Sequence, residues 1–327
     1  MASHPHAQSL IDQGQALLQE ENFPQAHACF EQALELEPES AYAWFCKGCA
    51  LSTSGREAEA AAAFLRCTQI EPERDVAWYN LGNAMQNLGE LEQALQCFEI
   101  VLQLEPEHAD ALINKGRLLD DAGHHQQAIE CYDQALRLAP DDEVGWANRG
   151  NSLKSLGYLD DAIESYQQAL RMNRANLAAL FGMAECLMYL ERDDEGLQAV
   201  EQGLRLHPDW AAGWCHRGVM LARADRNREA LESLKRAVKL DDTAPEIWNN
   251  LGEVLVAMAQ LPQALKCFDK ALAMSEEFVP AWFGKARALL LAQQYQEGAN
   301  ACRQFLAVAN EDDPQVPVVR EWLSQCG

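Results

Sequence analysis

Apolar and small residues recur along this chain with a fixed period of 34, in nine consecutive units that need no insertion: 7–40, 41–74, 75–108, 109–142, 143–176, 177–210, 211–244, 245–278 and 279–312. Position 4 of each unit is large and apolar (Leu10, Trp44, Trp78, Leu112, Trp146, Leu180, Trp214, Trp248, Trp282). Position 8 is Gly in seven units and Ala in two (Ala184, Ala286), and position 20 is always Ala or Gly. Position 24 is Phe or Tyr in six units, and position 32 is Pro in five. Within a unit the apolar spacing is helical on both sides of a break near position 15, which is Gly55, Gly89, Gly123 and Gly157 in four units. The pattern predicts helix A, a turn and helix B, with the proline ending helix B before the next unit. The stretch "WYNLGNAMQNLG" at 78–89 is therefore a poor helix for a reason. An interior glycine costs about 1 kcal/mol against alanine, and Gly82 gives that up so that a bulky residue can pack against it.

These residues closely resemble the tetratricopeptide repeat, W-x2-L-G-x2-Y…A-x3-F…P at period 34, and "WYNLGNAMQNLGELEQALQCFEIVLQLEP" follows it almost throughout. The resemblance implies an all-α fold: a right-handed α-solenoid superhelix of nine helix-turn-helix units. One unit cannot bury its apolar face alone, so stability comes from neighbours. Residues 1–6 are expected to be a flexible N-terminus, 7–312 the array, and 313–327 a capping helix in which Val318, Val319, Trp322 and Leu323 cover the last repeat. Unit 6 departs most from the pattern. Arg174 stands where a proline precedes other units, and Ala184, Gly196, Val200 and Gly203 replace bulkier or consensus residues, so a bend or softer joint is expected there.

Composition narrows the function. Apolar residues are 48% of the chain and the formal charge is −24, which disfavours nucleic acid and anionic membranes. No apolar run approaches a membrane span, and the first ten residues, MASHPHAQSL, do not resemble a signal peptide. Eleven scattered cysteines read as reduced thiols, pointing to the cytoplasm.

Opposite the core stripe of helix A lie positions 2, 5, 6, 9, 12 and 13, and the resemblance implies that this face lines a concave groove where partners sit. Asn80, Asn114, Asn148 and Asn250 share position 6, Asn83 and Asn151 position 9, and Asn87 position 13. A ladder of carboxamides suits the alternating N–H and C=O groups of an extended peptide; bonding to adjacent repeats and water is the competing explanation. Tyr42, Phe45, Val76, Tyr79 and Ile113, then Phe181, Met188, Tyr189 and Phe283, make the face unusually apolar. Arg117 and Lys154 are among its four bases, and Arg117 is spaced to pair with Asp121. Position 5 is never Lys, so the clamp by which some relatives hold a C-terminal carboxylate is not expected.

Other chemistry is weak. Cys46 and Cys49 form a C-x-x-C on this face, but the equivalent positions of the flanking units are Asp12, Gln15, Asn80 and Asn83, a weak offering for zinc. His124 and His125 belong to a loop and His4 and His6 to a loose terminus, all expected to be solvated, with His216 alone in the groove. The position-7 bases (Lys47, Lys115, Arg149, Arg217, Lys285) are expected to lay their stems along the core edge with heads in water. No nucleotide-binding, zinc-protease or serine-hydrolase motif occurs. The expectation is a non-enzymatic protein without cofactor or metal that binds a protein or peptide, as a scaffold or assembly chaperone. Self-association through terminal repeats and service as an accessory subunit of a separate enzyme are the alternatives, and the oligomeric state stays open.

Overall fold

The computed structural model describes residues 5–326, all of whose regular structure is α-helical. The helices group into two compact bodies, one ending at Gly157 and the other beginning at Tyr158. The first holds α1 (Pro5–Gln19), α2 (Phe23–Leu36), α3 (Ala41–Thr53), α4 (Glu57–Ile70), α5 (Asp75–Asn87), α6 (Leu91–Leu104), α7 (Ala109–Asp121), α8 (His125–Leu138) and α9 (Glu143–Ser155). The second holds α10 (Leu159–Met172), α11 (Leu177–Tyr189), α12 (Asp193–Leu206), α13 (Ala211–Arg223), α14 (Asn227–Leu240), α15 (Pro245–Ala257), α16 (Leu261–Met274), α17 (Val279–Leu291), α18 (Tyr295–Val308) and α19 (Val316–Gln325). Odd-numbered helices through α17 are the A helices and even-numbered ones the B helices. None of the described helices is long and apolar enough to cross a membrane.

Two expectations shift. Helix α1 starts at Pro5, so His6 is helical rather than in a loose end; residues 1–4, including His4, lie outside the described residues. The division between bodies falls in the turn of the fifth repeat. Repeat six has specific packing where its sequence suggested slack. A Cβ on Gly203 would meet the Trp210 ring at 2.6 Å, and one on Gly196 would meet Met220 at 2.7 Å. Its glycines are clearance for large neighbours.

The small-and-large scheme is literal. A Cβ on Gly14, Gly48, Gly82 or Gly116 would approach the ring of Phe30, Phe64, Phe98 or Tyr132 to 2.6–2.8 Å. Those four rings are at most 1% exposed. Where position 24 is smaller, position 8 can carry a methyl: Ala184 shares a core with Val200, and Ala286 with Cys302. The A helix then turns back through position 15, and all nine residues there have positive φ. Gly55, Gly89, Gly123 and Gly157 lie at +76° to +81°, while Glu21, Glu191, Asp225, Ala259 and Gln293 lie at +57° to +61°.

Two devices join successive repeats. The indole Nε1 of Trp44, Trp78, Trp146, Trp214, Trp248 and Trp282 donates at 2.8–3.0 Å to the backbone carbonyl six residues upstream, which fixes the loop arriving from the previous unit. The position-7 bases do not leave their heads in water as expected. Each reaches back sixteen residues to an acid of the preceding B helix: Lys47 to Glu31, Lys115 to Glu99, Arg149 to Asp133, Arg217 to Glu201 and Lys285 to Asp269. Four of them also lie over the position-4 tryptophan of their own helix. The Lys47 ammonium, bonded to Glu31, holds that carboxyl below its usual range. Partly exposed pairs of this kind contribute only about 0–1 kcal/mol each, so their value is registration repeated along the stack.

The last B helix is covered by α19, whose Val316 and Val319 are buried with Phe305 in one core and whose Trp322 stacks on Phe283 at 5.1 Å. Burial pushes the thiol of Cys46 up to about 11 and that of Cys49 up to about 12, and the Cys46 sulfur accepts a bond from Gln15. At neutral pH both are protonated and poor nucleophiles.

Ala259 occupies a backbone region that costs an L-residue roughly 1–2 kcal/mol. Ala259→Gly is therefore expected to stabilise the protein by about 0.5–1 kcal/mol in urea unfolding, and Gly89→Ala to destabilise it; no change in either would remove the strain argument. Iodoacetamide at neutral pH is expected to leave Cys46 and Cys49 unmodified in the folded chain and to alkylate both in denaturant, as read by peptide mass spectrometry. Rapid labelling of either in the folded protein would contradict the burial described.

Candidate functional site

Within each body, A helices approach the next A helix more closely than B helices approach one another. The A side is therefore the inner side of each stack. Its polar residues are engaged largely with each other. In the first body, the Gln15 amide donates to the Tyr42 hydroxyl at 2.6 Å. Asn114 donates both hydrogens of Nδ2, to the Tyr79 hydroxyl at 3.2 Å and to Asn83 Oδ1 at 3.0 Å. Asn87 donates to Glu57 at 3.1 Å, and Asn80 returns one hydrogen to Val76 O of its own helix at 2.7 Å. In the second body, Asn250 donates to the Cys215 sulfur at 3.4 Å.

Asn114 and Asn250 thus bond from one A helix to the next, and the expectation that each carboxamide presents donors and an acceptor together to a guest needs correction. What remains is mainly acceptor capacity. Asn80 keeps Oδ1 and one hydrogen, and Asn114 keeps only Oδ1. The half-buried Asn148 has no side-chain hydrogen bond among the described residues. Asn151 and Lys154 have partners of their own. Arg117 is exposed and forms no ion pair among the described residues, so the spacing to Asp121 is not used.

The aromatic flank is also less open than its sequence suggested. The Phe45 ring packs 5.9 Å from Phe64, and Arg74 lies over both Tyr42 and Phe45 at 5.7 and 5.8 Å. Tyr79 stacks on His108 at 4.9 Å and Phe181 on His216 at 4.9 Å, so His216 is not alone. Ile113 is only 7% exposed, and Phe283 is under the α19 tryptophan. Position 5 wedges between neighbouring repeats, so the exposed apolar groups of this face come from positions 2 and 13: Tyr42, Val76 and Val144 at 37%, 44% and 50%, and Tyr189 and Leu291 at 68% and 58%.

One cluster escaped the sequence reading. Asp120 accepts bonds from the Ser152 hydroxyl at 2.6 Å and the Tyr132 hydroxyl at 3.1 Å, and its other oxygen faces His125 Nδ1 at 2.9 Å. His125 is therefore bound rather than solvated. Burial and the Asp120 charge push the Tyr132 phenol up. Each hydroxyl is spent on the carboxylate, and His125 bonds Asp120 rather than Ser152. The arrangement ties α7, α8 and α9 together and lacks an activated nucleophile. In the second body, Glu253 is paired with Arg287, and burial raises its carboxyl above the ordinary range.

Asp75, Glu105 and His108 bring one oxygen or nitrogen each within 4.8 Å of one another. His108 caps α7 by accepting the Ala111 N–H at Nδ1, 3.2 Å away. A neutral imidazole used this way carries its proton on Nε2, so neither nitrogen is free to ligate without breaking the cap. The donor set does not suit a metal.

The tetratricopeptide repeat profiles match residues 11–73, 73–141, 155–214 and 249–317, and a TPR repeat profile matches 218–258. No curated protein matches the chain. Among solved structures, the Cut9–Hcn1 hetero-tetramer of APC/C aligns with a TM-score of 0.59 at 19% identity, over 86% of this chain and 55% of that one. A tetratricopeptide repeat protein from Parabacteroides merdae aligns at 0.56 and 16% identity, over 77% and 100%. YrrB, described as a TPR protein with an unusual peptide-binding site, aligns at 0.52 and 24% identity, over 57% and 96%. At these identities the likeness is one of fold. With the profiles spread from residue 11 to 317 and the A/B helix alternation in both bodies, the chain belongs to the tetratricopeptide repeat family.

Proposed function

We propose that this chain receives an extended segment of a partner protein on the inner face of its A helices, acting in the cytoplasm as a scaffold or assembly chaperone and not as a catalyst. The observation that carries the reading is the set of carboxamide oxygens left over on α5, α7 and α9 after the repeats have bonded to each other. Asn80 and Asn114 keep Oδ1, and Asn148 keeps its whole carboxamide. Partnerless polar atoms at regular spacing on successive helices suit backbone N–H groups, which any peptide offers whatever its side chains. With helices about 8–10 Å apart and about 3.3 Å per extended residue, one rung serves roughly three ligand residues.

Tyr42 and Val76 supply exposed apolar surface on this face, and Arg117 supplies an unpaired charge. In the second body Tyr189 offers aromatic surface of the same kind, with Phe181 less available because it stacks on His216 and Asn250 because it bonds Cys215. The peptide-binding description of YrrB supports the reading by analogy. Eleven free cysteines agree with a reducing compartment.

Affinity capture from native lysate tests this, with quantitative mass spectrometry and with Asn80→Ala, Asn114→Ala and Asn148→Ala combined. Asn148→Ala alone serves as a variant that disturbs no internal bond. The expected outcome is a set of proteins held by wild type and lost by the triple variant, several-fold reduced by the single one, at unchanged helicity. Equal capture by all three proteins would sink the proposal.

A further inference from the structure

The second body carries a basic hollow on its B-helix side that the inner-face reading does not use. The two bodies have 25 acids each, but the first has nine bases and the second seventeen. Several of the second body's bases are neutralised within it. Arg192 pairs with Asp160 and Glu195, Arg217 with Glu201, Arg223 with Asp193, Arg226 with Glu229, and Arg287 with Glu253. Arg171, Arg174 and Arg205 form no ion pair among the described residues. They line one open hollow of about 820 Å3 between α10 and α12, and no carboxylate is among its walls. Arg171 spends one hydrogen on Gln168 Oε1 at 3.0 Å. The Arg174 carbonyl is held by Gln202 at 3.2 Å, which anchors the backbone and leaves its guanidinium exposed.

The helix dipole explains part of this. Arg171 and Arg205 occupy the last turns of α10 and α12, where a cation is favoured. It does not explain Arg174, which lies beyond α10, at the position where Pro38, Pro72, Pro106, Pro140 and Pro208 stop other B helices. Three unpaired guanidiniums around one hollow repel each other on an otherwise acidic protein, and an anion relieves that repulsion. The planar fork of arginine matches a carboxylate with two parallel bonds.

We propose that this hollow is a second binding surface, separate from the inner face, that takes a short acidic peptide segment of a partner protein carrying at least one apolar residue among its carboxylates. The apolar requirement comes from Leu170 and Leu206 in the walls, the latter 47% exposed. The shortness comes from the surroundings. The adjoining hollow, which shares Arg205, is lined by Arg217 and Arg236 but also by Glu201 and Glu232, and Glu201 already holds Arg217, so its bases are offset by acids and a long polyanion such as nucleic acid gains little by extending into it. An acidic stretch of a few residues ends before it.

Fluorescence anisotropy on the full chain tests this, using a fluorescein-labelled synthetic peptide in which leucines interrupt a run of glutamates. An equally labelled single-stranded oligothymidylate is the comparison. Wild type is expected to bind the peptide saturably, more weakly as salt rises, and more tightly than the oligonucleotide. Arg171→Glu with Arg205→Glu is expected to weaken it at least about tenfold. Lys266→Glu with Arg303→Glu, an equal change of net charge at exposed bases outside the hollow, is expected to stay within about twofold, since distant surface charges are screened. Circular dichroism shows whether each variant is folded. The proposal is overturned by absence of saturable peptide binding, by undiminished binding in the first variant, by equal loss in both, or by an oligonucleotide that binds as tightly as the peptide.

Discussion

A glycine facing an aromatic ring across a helix pair is the contact on which the rest of this structure depends. Gly82 has no Cβ because the Phe98 ring already occupies that space, 2.8 Å from where the atom would be. The ring is fully buried, so it sets how closely helices A and B of a unit approach and at what angle. Variation follows the same volume rule: Ala184 goes with Val200 and Ala286 with Cys302, each pair within one core. Every other periodic feature, from the tryptophan that holds the incoming loop to the base that reaches back sixteen residues, presupposes that spacing.

The same stacking determines what is left for a partner. Neighbouring A helices lie close enough for amides and hydroxyls to bond across the gap, as Asn114 does to Tyr79 and Asn83. Once those bonds form, the inner face is poorer in donors than its composition implies and richer in unengaged carbonyl oxygens. Aromatic residues at position 5 are drawn into the gap as well, with Tyr79 on His108 and Phe181 on His216. The B side follows a different rule. It faces no neighbour of its own kind closely, so its charges stand or fall by local sequence, and Arg171 of α10, Arg174 just beyond it and Arg205 of α12 remain without acids.

The repeat phase, the division of each unit into two helices and the small and large core positions were legible in the sequence because the constraint behind them is local and periodic. A residue at position 8 meets one at position 24 of the same unit, whatever the stack does. The partners of side chains on the inner face were not legible. Whether Asn80 bonds its own helix while Asn114 bonds the next one depends on distances between units that no periodicity encodes. The same holds for Ile113, buried at 7%, and Tyr189, 68% exposed, which belong to one helix face by spacing. Arg117 and Asp121 had ideal spacing and do not pair. The position-7 bases showed the reverse failure, since the recurring acid sixteen residues upstream was present in five units and could have been noticed. Position 15 was legible as a turn only where it was glycine, because Glu21, Glu191, Asp225, Ala259 and Gln293 adopt the same backbone against their own preference.

The most direct measurement is a double-mutant cycle in chemical unfolding on Gly82→Ala, Phe98→Leu and the two combined. Helix propensity alone makes Gly82→Ala stabilising by about 1 kcal/mol, whereas crowding the buried ring costs about 1–3 kcal/mol. The account expects net destabilisation by the single alanine variant. It also expects a favourable coupling of at least about 1 kcal/mol when the ring is trimmed in the same chain. A Gly82→Ala protein more stable than wild type, with the two substitutions simply additive, would contradict it.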